Sequence, residues 1–193
     1  MSACTYAASL LVAMSLASAA TAQTSAPIGI GNFGRVNPGY YRGEQPEPAE
    51  YPGLAALGIR TIINLTSADG DSNEGPLVEQ AGMAYVHIPM TTHVSPTPAQ
   101  IAQFLAVVGG EADQPVYVHC VGGRHRTGVM TAVYRMTHDK WTADQAFAEM
   151  KRYRFGASFL HREFKEFVYA FTQFPTQGTA GVPFGTANSE RGW

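Results

Sequence analysis

The stretch PVYVHCVGGRHRTGVMTAVYRM, residues 115–136, restricts the possible folds more than any other part of the chain. It begins as a short apolar run, passes through the glycine-rich decamer HCVGGRHRTG, and resumes with helical periodicity. A strand that runs through a tight loop straight into a helix belongs to a mainly parallel sheet, because the helix carries the chain back across the sheet face. The rest of the chain repeats this alternation. Strands are predicted at 39–42, at the β-branched run 59–65, at 84–88 and at 115–119. Helices are predicted at 47–57, 76–81, 96–108, 127–137, 142–152 and 158–171, with Gly58, Gly82 and Gly109–Gly110 as stops and Thr142 as a cap. The expected class is therefore α/β, with a central, mostly parallel sheet of about four to five strands flanked by helices. Ligands of such sheets sit beyond the carboxyl ends of the strands. The decamer falls at that place.

The two ends of the chain read differently. Residues 1–22 run apolar and small and close on Ala20-Thr21-Ala22, a small-x-small cleavage pattern before Gln23. They are expected to be a signal peptide for export to the periplasm or the medium, with no stable membrane insertion after cleavage. Residues 23–35 read as a linker, 36–174 as the single domain, and 175–193 as a flexible tail. A net charge of −2 argues against a nucleic-acid partner. Charge is segregated, however: Arg60 is the only basic side chain between Gln45 and Gln114, whereas Arg124, Arg126, Arg135, Lys140, Lys151, Arg152, Arg154 and Arg162 crowd a later segment. That suits an anionic ligand near the decamer.

Of the two cysteines, Cys4 lies in the segment expected to be removed, which leaves Cys120. A lone cysteine staples nothing, so it is either a small buried hydrophobe or a reactive thiol. Its surroundings favour reactivity. Gly122 and Gly123 let the backbone N–H groups of Val121 to His125 curl into an anion nest. The helix that starts near Thr127 adds its positive end. A thiol there ionises below its free value of about 8.5. Arg126 is placed to grip two phosphoryl oxygens bidentately, Thr127 to hydrogen-bond the sulfur as it leaves, and His119 to order the loop. The GxxxxGK pattern of a nucleotide loop is absent, and the segment has too few ligands for a structural zinc site.

The order His119-Cys120, five residues, then Arg126-Thr127-Gly128 resembles the signature loop of cysteine-dependent tyrosine and dual-specificity phosphatases. The likeness extends to Tyr41-Arg42-Gly43-Glu44-Gln45-Pro46, to the 57–65 segment and to Ile88-Pro89-Met90, which resemble compact atypical members. It implies a phosphatase loop between a central strand and a helix, no metal and no cofactor. It also implies Cys120 as nucleophile, Arg126 as phosphate clamp, Thr127 as hydrolysis aid and the 121–125 amides as phosphate ligands.

Members of that family usually carry an aspartate in the loop after the third predicted strand. Here the loop reads PMTTHVSP, residues 89–96, without a carboxylate. Candidate substitutes for the acid are His93, Asp71 and Asp69. A phenolate or phosphate leaving group needs less help from an acid than an alkoxide does. The charge expected from Arg124 and His125 adds inositol polyphosphates to phosphotyrosine proteins as candidate substrates. Resembling family members include enzymes that act on inositol pyrophosphates. An idle phosphate-binding module is the alternative from another class.

Overall fold

The computed structural model describes residues 29–171, apart from 69, 72 and 158. The predicted signal peptide, residues 23–28 of the predicted linker, the predicted tail and Asp69 lie outside the described residues. The order of elements is β1 (Gly34–Asn37), β2 (Tyr40–Glu44), a 3-10 turn (Pro48–Glu50), α1 (Tyr51–Ala56), β3 (Thr61–Asn64), α2 (Glu74–Gln80), β4 (Ala84–His87), α3 (Pro98–Gly109), β5 (Val116–Cys120), α4 (Arg126–Thr137), α5 (Ala143–Arg152) and α6 (Arg162–Phe171). Five strands form one sheet in the order β1-β2-β5-β3-β4, in which β1 runs antiparallel to β2 and the other pairs are parallel. The expected α/β class with a mostly parallel sheet is what the chain adopts.

The strands alternate sides, and that alternation sorts the core. Val116, Val118 and Cys120 of β5, with Ile63 of β3, face a cluster that includes Phe104, Val129, Met130, Ala146, Phe147, Phe155 and Phe164. Tyr117 and Ile62 face the opposite cluster, with Ile30, Tyr51, Leu54, Val78 and Met83. Helices α3, α4, α5 and α6 thus cover one face of the sheet and α1 and α2 the other. Because β5 is hydrogen-bonded on both sides and α4 buries most of its residues, the decamer is suspended between the two best-anchored elements of the domain.

Several boundaries moved, three of them for reasons that the structure shows. The expected linker reaches 35, but Ile30 is buried and β1 already starts at Gly34. This strand is short and half polar; the Asn-Pro-Gly turn that pairs it with β2, where the Gly39 N–H donates to Asn37 Oδ1 at 2.8 Å, was its available signal. Helix α2 starts at Glu74 instead of 76, because an Asp71 side chain caps the preceding turn through the Asn73 N–H at 2.9 Å. Helix α6 starts at Arg162 instead of 158. Just ahead of it, the His161 ring lies against the Thr92 carbonyl at 3.1 Å and anchors the chain before the helix begins.

Candidate active site

Cys120 ends β5 and is 3% exposed. The chain then makes the Val121–His125 loop and enters α4 at Arg126, so the first turn of that helix directs its free N–H groups and its positive dipole end at the loop. Gly123 sits at φ 60°, and a Cβ there would lie 2.3 Å from the carbonyl carbon and oxygen of Gly43. The loop therefore rests on the backbone of β2 at a distance that only glycine allows.

The loop carbonyls are held from behind. Arg42 Nη2 donates to Gly123 O at 2.8 Å, and Asn32 Nδ2 donates to the same oxygen at 2.9 Å and to Gly122 O at 3.4 Å. In a trans peptide the N–H points away from its own plane's C=O. Fixing these two oxygens behind the loop turns the Gly123 and Arg124 N–H groups to its open side, the arrangement of an anion nest. Arg126 is 2% exposed and donates from Nη1 to Met90 O at 3.1 Å, so the chain beyond β4 fixes its guanidinium. Thr127 is fully buried, and its Oγ1 has no hydrogen-bond partner among the described residues.

His119 shares the α1/α2 face with Tyr117, its ring roughly parallel at 5.9 Å, while Cys120 faces the other way. Its Nε2 lies 2.7 Å from Glu74 Oε1, with both side chains fully buried, although the approach lacks aligned hydrogen-bond geometry. Tyr51 Oη at 3.0 Å, Asn64 Nδ2 and Gln45 Nε2 at 3.4 Å also donate to that carboxylate. A histidine enclosed in this way anchors the strand beneath the loop and has no route to solvent.

A strand–loop–helix nest around a buried cysteine, with an arginine on the first turn, coincides with a sequence match. The sequence model of the tyrosine phosphatase family matches residues 27–177. The chain belongs to the tyrosine phosphatase family. As a member it is a phosphatase of the cysteine-dependent, tyrosine and dual-specificity type. It is similar to the probable tyrosine-protein phosphatase DG1060 of Dictyostelium discoideum, with 29% identity over 63% of this chain and 75% of that protein. It is also similar to the dual specificity protein phosphatase TpbA of Pseudomonas aeruginosa, with 30% identity over 65% of this chain but 56% of that protein. The inositol diphosphatase DSP4 of Arabidopsis thaliana is 28% identical over 63% of each chain. Among solved structures, the core catalytic domain of the PP-IP phosphatase SIW14 from S. cerevisiae superposes with a TM-score of 0.63 at 22% identity, over 72% of this chain and 84% of that one, a likeness of fold.

The family loop here departs from the sequence expectation at His125. Its Nε2 is 2.9 Å from the Phe155 carbonyl, and its ring packs on His161 with centroids 3.5 Å apart. Burial, and then the neighbouring His161, pull its pKa down to about 4. The expected second cation of the loop is therefore a neutral ring at pH 7, and Arg124, which is exposed, is left to extend the charge of Arg126 outward.

The candidate acids are scattered. The His93 side chain is 69% exposed and its Nδ1 is 3.5 Å from Glu163 Oε1. Asp71 is exposed and lines a separate cleft of about 580 Å³ with Asn64, Thr66, Tyr85 and His87. Of the more distant basic residues, Arg154 is exposed but sits between two residues tied to the loop: Tyr153, whose carbonyl accepts from Asn32, and Phe155. Lys151 and Arg152 occupy the exposed last turn of α5, and Arg162 pairs with Glu166.

Sequence reading missed Asn32, Arg42, Glu74, His161 and Glu163. Arg42 carried a signal: it is a charged residue within the predicted strand 39–42, and it falls in the middle of the observed β2, where a charge is buried only for a purpose. It is fully buried, with its guanidinium 4.0 Å from the Tyr153 ring centre.

Two outcomes are expected. Gly123→Ala should keep the far-ultraviolet circular dichroism of the parent while lowering hydrolysis of an aryl phosphate by about 100-fold, because it lifts the loop from β2. His125 should remain neutral by NMR titration down to about pH 4. Since the unfolded ring takes up a proton near its ordinary value of about 6.5, stability should fall as pH drops from 6.5 toward 4. Thermal unfolding of His125→Asn should show a shallower fall over the same range.

Proposed function

We propose that this chain is an exported phosphatase that hydrolyses phosphotyrosine through a phospho-cysteine intermediate. The Cys120 thiolate attacks phosphorus as the bond to the leaving oxygen breaks. Water then attacks the same phosphorus, the P–S bond breaks, and phosphate leaves. Arg126 and the amides of Val121 to His125 hold the phosphoryl oxygens through both steps, and the Thr127 hydroxyl donates to the departing sulfur.

The observation that carries the substrate reading is the loop 89–96. It contributes a backbone carbonyl to Arg126 but contains no carboxylate, so the chemistry suits a leaving group that departs without a strong acid. A phenolate is one. The exposed side chains of Val121, Val94, Phe159 and Leu160 supply apolar surface on the loop and its neighbouring segments, which favours an aryl phosphate on a protein. The Pseudomonas relative TpbA has been crystallised, as a cysteine-to-serine variant, with phosphotyrosine.

A second reading, an inositol pyrophosphate with phosphate as the leaving group, is favoured by the exposed Arg124 on the loop, by Arg154 beside it and by the relatives described as inositol diphosphatases. Export rests on the apolar segment before Gln23. Among the described residues no helix is long and apolar enough to cross a membrane.

The test is phosphate release from a phosphotyrosine peptide, a phosphoserine peptide, inositol hexakisphosphate and a pyrophosphorylated inositol. The phosphotyrosine peptide should be hydrolysed fastest, and Cys120→Ser should abolish turnover of every substrate. Preference for the pyrophosphorylated inositol would select the second reading, and activity retained by Cys120→Ser would end both. Expression of the full chain in a bacterium should give a periplasmic or secreted protein whose first residue by mass spectrometry is Gln23. An intact Met1 terminus in the cytoplasmic fraction would refute export.

A further inference from the structure

His93, His161 and Glu163 come from two segments far apart in sequence, the loop after β4 and the start of α6, yet one ligand atom from each lies within 4.8 Å of the others. The spacing is informative. His93 Nδ1 is 3.5 Å and His161 Nδ1 is 3.8 Å from the same Glu163 Oε1. Both distances are too long for hydrogen bonds, which settle near about 2.9 Å. They approach the edge of a tetrahedron around a zinc ion, about 3.4 Å when each ligand is about 2.0–2.1 Å from the metal. The Glu163 oxygen is buried and has no hydrogen-bond partner, so its lone pairs are desolvated without compensation. Two imidazoles and a carboxylate form a ligand set suited to zinc and its neighbours in the first transition row.

We propose that His93, His161 and Glu163 form a binding site for a divalent transition-metal ion of the zinc type, with a fourth position open to solvent. Each imidazole gives a lone pair and the carboxylate one oxygen. The proton on His161 Nδ1, which faces the Thr92 carbonyl at 3.1 Å, passes by way of solvent to Nε2 of the same ring as the metal takes Nδ1, so the imidazole binds as a neutral ligand. The site uses none of the catalytic loop's residues but adjoins it, because the His161 ring packs on His125. A bound ion would tie the loop 89–96 to α6. That same loop holds Arg126 through the Met90 carbonyl.

Metal binding can be measured without reference to activity. Cys120→Ser removes the thiolate as a competing ligand, and zinc is then titrated against a chromophoric chelator. One equivalent should bind, and affinity should fall about tenfold or more in His161→Asn and Glu163→Gln made in that background. His93→Asn, at an exposed position where folding is not at stake, should show the same loss. His138→Asn, which alters another exposed histidine beside a carboxylate, should leave affinity unchanged. Absence of stoichiometric binding in the Cys120→Ser protein, or equal affinity in His93→Asn and its parent, would overturn the site. Neither result bears on whether the chain hydrolyses phosphotyrosine.

Discussion

The hydrogen bond from the Arg42 guanidinium to the Gly123 carbonyl is the contact on which the rest of the site depends. It fixes one peptide plane, and the plane fixes where the loop's N–H groups point. With Asn32 holding the neighbouring oxygen and Gly123 pressed against β2, the nest is set before any anion arrives. A loop whose amides had to turn on binding would spend interaction energy on ordering itself. Here the fold has met that cost.

The arrangement is expensive in stability. Burying an ion costs several kcal/mol even after relaxation, and burial pulls the Arg42 pKa below its ordinary value. Stacking on Tyr153 offsets part of this, by about 2 kcal/mol where the pair is desolvated. A second enclosed polar group lies on the opposite face of the sheet, on the neighbouring strand β5, where His119 and Glu74 meet among Tyr51 and Asn64. The sheet thus has a polar assembly on each face near the carboxyl end of β5. Alternation of side chains along β5 keeps the two apart: His119 is directed to the structural side and Cys120 to the chemical side.

Most of the fold was legible because its signals are local. The run IRTIINL, the glycine stops and the Thr142 cap each act within a few residues, and they located β3, the ends of α1 and α2, and the start of α5. Strand β1 was read in part as linker, since its four residues have little apolar character of their own and only the Asn-Pro-Gly turn before β2 marked them. Cys120, Arg126 and Thr127 could be read because their spacing along one loop is itself the geometry. Asn32 and Arg42 could not be assigned to the loop, because each acts on it from a distant part of the chain.

The sequence by itself determined the strand–loop–helix, the thiol at its start and the absence of a carboxylate in the loop after β4, because these are properties of contiguous residues. Only the tertiary structure decided the charge state of His125, the partner of His119, and the meeting of His93 with His161 and Glu163. Ionisation and ligation depend on desolvation and on what stands within a few ångströms. Those are set when distant segments pack together, and no local pattern carries them.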